Sequence, residues 1–138
     1  MNKINMLICY LVAIANYAKD IHYTCRGEAF YAKHLLADRI YGGLYDFTDQ
    51  IKETCILGND TMPLPSGEYL SRATSLIPEL TDSDKTNFEH MQKLLIDSLV
   101  LMQEMLQDTD TPRAEVSLVD GIAQDLQQKL GLVNLQVK

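Results

Sequence analysis

Apolar positions in this chain recur at steps of three and four over four long stretches, the period of helices that each bury one face, and nowhere do they alternate as a half-buried strand requires. The first stretch runs from Asn2 to Cys25, with Leu7, Ile8, Leu11, Ile14, Ala15 and Ala18 on the stripe and Asn5, Asn16, Lys19 and Asp20 off it. Arg26 and Gly27 interrupt it, and Gly27 is the natural place for a positive φ. A second stretch opens at Glu28, whose charge suits a helix N-terminus, and holds its period to Leu57 before Gly58 and Asn59 end it. As one helix it would be about thirty residues and roughly 45 Å long.

Gly58 to Thr81 carries three prolines, Pro63, Pro65 and Pro78, and is too long for a plain connection in a compact domain. A short helix over Gly67 to Ala73, capped by Ser66, is expected to order it. Thr81 or Asp82 caps the third long helix, whose stripe of Phe88, Met91, Leu95, Leu99, Met102 and Leu106 lasts to about Gln107. After a short turn, Thr111 as N-cap and Pro112 at the first helical position start a fourth. It carries Val116, Val119, Ile122, Ala123, Leu126 and Leu130 on one face, and Gly131 near its end. Two short connections around one long crossover predict an all-α fold, a ferritin-like four-helix bundle forming a single domain over residues 1–138.

The balance of residues narrows the function. A chain of 138 residues buries enough apolar surface to fold without disulfides or structural zinc. The net charge of −7, with no cluster of Lys or Arg, argues against nucleic-acid binding. No uncharged apolar run approaches the roughly 20 residues of a membrane span. The opening Lys3, apolar run and Ala13-x-Ala15 also describe a secretory leader, but the helical spacing continues past Ala15 to His22 and favours a structural helix. Cys9, Cys25 and Cys55 form no CxxC pair and read as small buried hydrophobes in a reducing, cytoplasmic setting. The six Met residues read as core filler, and His90 as a surface or satisfied polar residue.

The distinctive chemistry lies between His22 and Glu53. His34, Asp38, Asp49 and Glu53 fall at roughly 0°, 40°, 60° and 100° around an ideal helix, a single face. Along its axis, however, Asp38 and Asp49 are roughly 16 Å apart and His34 and Glu53 roughly 28 Å, whereas ligands must come within about 2 to 2.5 Å of one ion. The 34/53 and 38/49 pairs share a midpoint beside the glycine pair Gly42–Gly43. Two copies crossing antiparallel about a two-fold axis there would set His34 and Asp38 of one chain opposite Glu53 and Asp49 of the other, giving two equivalent sites. Glycine costs a helix interior about 1 kcal/mol relative to Ala, and close approach of two backbones would explain the pair. Tyr41 and Tyr45 then pack near the axis. His22 joins from the first helix, and two imidazoles with carboxylates suit iron(II), manganese or zinc, iron being preferred.

This spacing of His22, His34, Asp38, Asp49 and Glu53, with Gly27, Phe30 and a short helix in the crossover, resembles the Dps mini-ferritins, DNA-binding proteins from starved cells. The resemblance is close over residues 16–58 and looser to about residue 130. It implies a hollow dodecamer with ferroxidase sites at two-fold interfaces, His22, His34 and Asp38 coming from one chain and Asp49 and Glu53 from its mate. It also implies oxidation of Fe(II) by hydrogen peroxide or dioxygen, iron storage, and protection against oxidative damage. Acidic pores near the last turn are expected, with Asp108, Asp110 and Glu115 as candidates. Tyr23 stands where many members carry Trp, and no Lys-rich tail precedes the first helix, so DNA compaction is not expected. No His has Glu three residues before it, which disfavours the intra-bundle site of larger ferritins. The competing readings are a metal-free assembly or scaffold protein and a nucleic-acid coat.

Overall fold

The computed structural model describes residues 1–138 as helices joined by short turns. Helix α1 (Lys3–Thr24) begins at Asn2, whose Oδ1 accepts the Asn5 N–H at 2.9 Å. Eleven of its side chains are buried, because α2 (Phe30–Tyr41), α3 (Leu44–Ile51), α4 (Ser66–Leu76) and α5 (Asp84–Gln107) all pack on it. By length and mean hydropathy α1 passes for a helix able to cross a membrane, though Lys3, Lys19 and Asp20 leave it without the long uncharged run that a span requires. Its apolar character instead reflects a central place in the bundle, where 61% of its most apolar window is buried. Helix α6 (Arg113–Gln136) lies along α5 and completes the four-helix bundle with α1 and the α2–α3 segment. There is no strand, and the expected four-helix bundle with one long crossover is the one observed.

Tyrosines hold both ends of the crossover. Buried Tyr69 of α4 donates its hydroxyl to Asn5 Oδ1 (2.7 Å) and accepts the Leu64 N–H (3.1 Å), tying the proline-rich half to α1. At the other end the Tyr17 hydroxyl, fully buried, meets the Glu79 carbonyl at 3.0 Å and His90 Nδ1 at 3.1 Å. Asn87 holds Thr81 by three bonds of 2.9 Å, so residues 79–81 are fixed to α5. Burial pushes the Tyr17 phenol up to about 12. His90 is therefore a satisfied polar residue, and Cys9, Cys25 and Cys55 are free and buried, as their sequence setting suggested.

Several helix boundaries differ from those expected. Ser66 is the first residue of α4 and caps nothing; Pro65, unable to donate an N–H, sets the boundary. Ser83 caps α5 in place of Thr81 or Asp82, its Oγ accepting the Thr86 N–H at 3.1 Å, because Thr81 is engaged with Asn87. Thr111 donates its hydroxyl to Met105 O at the end of α5 (3.1 Å), which leaves Pro112 as the boundary of α6. Gly131 lies near the end of α6 as expected, and the helix continues past it to Gln136 because Val133 still has the core to pack against.

The main correction concerns the second long helix. It is not one thirty-residue rod but α2, a break at Gly42–Gly43, α3, a π-helical turn (Lys52–Ile56) and a 3₁₀ turn (Leu57–Asn59). Gly43 has φ +81°, and Gly42 leaves the helix with ψ 128°. Neither the Gly43 N–H nor the Gly42 carbonyl keeps a backbone partner. The carbonyl is taken instead by Lys129 Nζ of α6 at 2.7 Å. The start also shifts from Glu28 to Phe30, since Gly27 and Ala29 both adopt positive φ.

Candidate metal centre

The turn through Gly27 and Ala29 folds α2 back on α1, and this brings His22, in the last turn of α1, against His34. Their rings stack with centroids 3.6 Å apart and planes 21° from parallel. His22 Nδ1 lies 2.9 Å from the His34 carbonyl, and His34 Nδ1 lies 2.7 Å from the His22 carbonyl. A carbonyl oxygen only accepts, so both Nδ1 atoms donate and carry the ring protons. In the neutral ring each Nε2 then carries the lone pair that can bind a metal, and each ring is oriented by a backbone acceptor of the kind that supports ligating histidines.

Aromatic side chains rim this pair. Phe30 and Tyr31 lie 5.3 and 6.4 Å from the His34 ring, and Tyr23 meets His22 edge-on at 5.1 Å. Tyr23 and Tyr31 are 75% and 67% exposed, so with Phe30 they put an aromatic patch on the surface around the two imidazoles. Asp38 sits one turn beyond His34, is exposed, and has Oδ1 3.3 Å from Lys19 Nζ. The Lys19 ammonium also stands 4.3 Å over the Tyr41 ring. Lys19 was absent from the sequence-derived site, although its position three residues before His22 on α1 puts both on one helix face.

Asp49 and Glu53 are exposed on the far side of the break, Asp49 in α3 and Glu53 in the π turn. The ideal-helix angles and distances therefore hold within each segment and not across the break. What survives is a pair of four-residue steps, His34/Asp38 on α2 and Asp49/Glu53 after it. Their shared midpoint falls at the Gly43–Leu44 step, where α3 starts. Gly43 is needed for the positive φ of the break itself, so close backbone approach is no longer required to account for the glycines. No three His, Cys, Asp or Glu side chains converge within a single chain. Tyr41 and Tyr45 pack edge to face at 6.1 Å, and the Tyr45 hydroxyl accepts from Asn16 Nδ2 at 3.1 Å.

The acidic group near the last turn also divides. Asp108 and Asp110 are exposed, whereas Glu115 is buried within the chain and accepts from Asn59 Nδ2 at 3.4 Å. Burial raises its carboxyl above the usual 4.5, more than the Asn59 bond lowers it, with the Asp108 charge adding to the rise. Burial likewise pushes the neighbouring Cys55 thiol up to about 11, helped by the Glu115 charge. A carboxyl with a raised folded-state pKa weakens the fold at pH values above it and costs nothing below its unfolded value. Glu115→Gln, which keeps an acceptor for Asn59, is expected to raise the urea midpoint at pH 7. That gain should vanish below about pH 4.5.

No protein-family model matches the sequence, and no curated protein matches it. Solved structures do. A Dps protein from Vibrio cholerae O1, described as one of a broad superfamily of ferritin-like diiron-carboxylate proteins, superposes with a TM-score of 0.86 at 17% identity, over 99% of this chain and 87% of that one. Dps from Thermosynechococcus elongatus gives 0.89 at 17% identity, over 99% and 88%. A variant of a Dps protein from Mycobacterium smegmatis gives 0.82 at 10%, over 99% and 93%. Shared coverage this complete at identity this low is a statement about architecture: the chain has the Dps fold, a ferritin-like four-helix bundle whose long crossover carries its own short helix.

Proposed function

We propose that this protein oxidises and stores iron, at sites completed by two copies of the chain. The observation that carries the reading is the mutual bracing of His22 and His34, which fixes two imidazoles as acceptors through Nε2 while Asp38 lies one turn away. In the proposed dimer Asp49 and Glu53 come from the partner, and the aromatic rim of Tyr23, Phe30 and Tyr31 is covered by it. The superfamily description of the Vibrio cholerae protein favours iron over the zinc or manganese that the same donor set would accept.

Iron(II) is the substrate. His22, His34 and Asp38 would bind it from one side and Asp49 and Glu53 from the other, carboxylates stabilising the higher charge of the ferric product. The net reaction takes one electron from each of two iron(II) ions and gives both to one hydrogen peroxide, which with two protons leaves as two water molecules. Removing peroxide and iron(II) together would limit oxidative damage, and assembly of two-fold pairs into a dodecameric cage in the cytoplasm would hold the mineral. The net charge of −7 favours cations over DNA as cargo. The test adds iron(II), then hydrogen peroxide or air-equilibrated buffer, and follows ferric absorbance. Oxidation faster than in protein-free buffer is expected, with peroxide the faster oxidant, whereas equal rates with and without protein would refute the proposal.

A further inference from the structure

We infer that Lys129 is a positioning residue for the shared site: by holding the Gly42 carbonyl it sets the bend between α2 and α3, and so the placement of Asp49 and Glu53 relative to His34 and Asp38. This rests on the proposed function, and the experiment separates the two. Lys129 is 4% exposed on α6, an unusual place for an ammonium group unless its contacts are specific. Its Nζ donates to Gly42 O at 2.7 Å and stands 2.8 Å from Asp125 Oδ2, one turn earlier on the same helix. The second contact is an ion pair rather than a well-angled hydrogen bond, since Oδ2 makes none. The Gly42 bond is therefore the directional one. It fills the acceptor that the break leaves without a backbone partner.

Helix α6 is suited to this role because it packs against α2, α3 and the π turn, spanning both sides of the break. Each proposed site takes one ligand pair from before the break in one chain and one pair from after it in the other. The bend thus enters the geometry of both sites of a dimer. Glu53 lies ten residues beyond Gly43, roughly 15 Å at helical rise, so a change of about 10° in the bend carries it roughly 2.6 Å. Metal ligands tolerate displacements of only about 0.2 Å. A small relaxation at Gly42 is therefore enough to uncouple the two halves of a site without unfolding either helix.

The test titrates the full oligomer with Co(II), reading its d–d absorption for affinity and stoichiometry, beside circular dichroism and sedimentation for fold and assembly. Lys129→Met keeps the unbranched stem, one atom shorter, but removes the donor, while Lys129→Arg restores one. Lys129→Met is expected to assemble and to bind Co(II) about 10-fold or more weakly, with an altered spectrum. Lys129→Arg should recover most of the affinity. Gly43→Ala provides a second route: within the chain a Cβ there meets nothing within 4 Å, so the change acts on the bend through the strained φ of +81°. It too should weaken Co(II) binding about 10-fold. Native affinity and spectrum in an assembled Lys129→Met protein would overturn the inference while leaving the proposed function standing. Were Lys129→Met not to assemble, native binding by Gly43→Ala would overturn it equally. If the unaltered protein binds no Co(II), or His34→Ala binds it as well as the parent, the proposed function falls and this inference with it.

Discussion

Mixing two inactive variants should restore iron oxidation. A chain carrying His34→Ala and Asp38→Ala lacks the ligand pair before the break, and a chain carrying Asp49→Ala and Glu53→Ala lacks the pair after it. Each alone is expected to be inactive if a site needs one pair from each of two copies. When the chains are unfolded together and reassembled, half of the two-fold pairs are mixed, and each mixed pair contains one site with no damaged ligand and one with both pairs damaged. About a quarter of all sites should then be intact, and the mixture should show about a quarter of the parental rate. A site built within one chain predicts no recovery, because no chain in the mixture carries both ligand pairs. The measurement is the initial rate of ferric absorbance against mixing ratio, with sedimentation to show that the mixed assemblies match the parental size.

The second large effect is expected from His34→Ala alone. This change removes one ligand and also the ring that stacks on His22, yet it spares the carbonyl of residue 34, which accepts the His22 Nδ1 proton. The tautomer of His22 is thus preserved, and the loss should come from coordination rather than from collapse of the pocket. Mutated supporting groups around metal ligands typically cost 10–100-fold, and loss of the ligand itself should exceed about 100-fold in the rate at low iron(II). Stability should change little, since His34 lies in a partly exposed position with most of its contacts to exposed rings. Circular dichroism and the thermal midpoint measure the second half of the statement and stopped-flow oxidation the first. A parental rate in an assembled His34→Ala protein would remove His34 from the site. Asp38→Ala is expected to have a smaller effect, because the Asp38 carboxylate is already shared with Lys19.

The uneven legibility of the site has a physical cause. His34 and Asp38, four residues apart on one unbroken helix, could be placed from spacing alone, since a turn of helix leaves them no other relation. His22 could be assigned to the neighbouring helix, but the reciprocal contacts of the two rings depend on the hand of the turn at Gly27 and Ala29. Positive φ at Ala29 is not written in any residue preference, because a β-carbon disfavours it. Lys19 lies on the same face of α1 as His22, but its place off the apolar stripe says only that it avoids the core, not that it meets Asp38. Lys129 was not legible: it stands 87 residues from the carbonyl it holds, and a lysine on an amphipathic helix ordinarily points to water.

The break in the second helix shows the same division. Ile40 and Leu44 are four residues apart and both fully buried, as are Ala37 before them and Ile51 after them. The hydrophobic pattern therefore runs across Gly42–Gly43 without a fault, because both segments face one core, and periodicity reports burial rather than backbone continuity. Two adjacent glycines were the only local sign, and they fit either a close crossing or a turn. By itself the sequence determined the class of fold, the order of the helices, the long crossover and the residue types of a mixed nitrogen and oxygen donor set, since these follow from the period of apolar positions and from side-chain chemistry. Only the tertiary structure decided where the second helix bends, what holds the bend, and which ring nitrogens are free. Those depend on partners distant in the chain and on backbone angles that glycine permits but does not dictate.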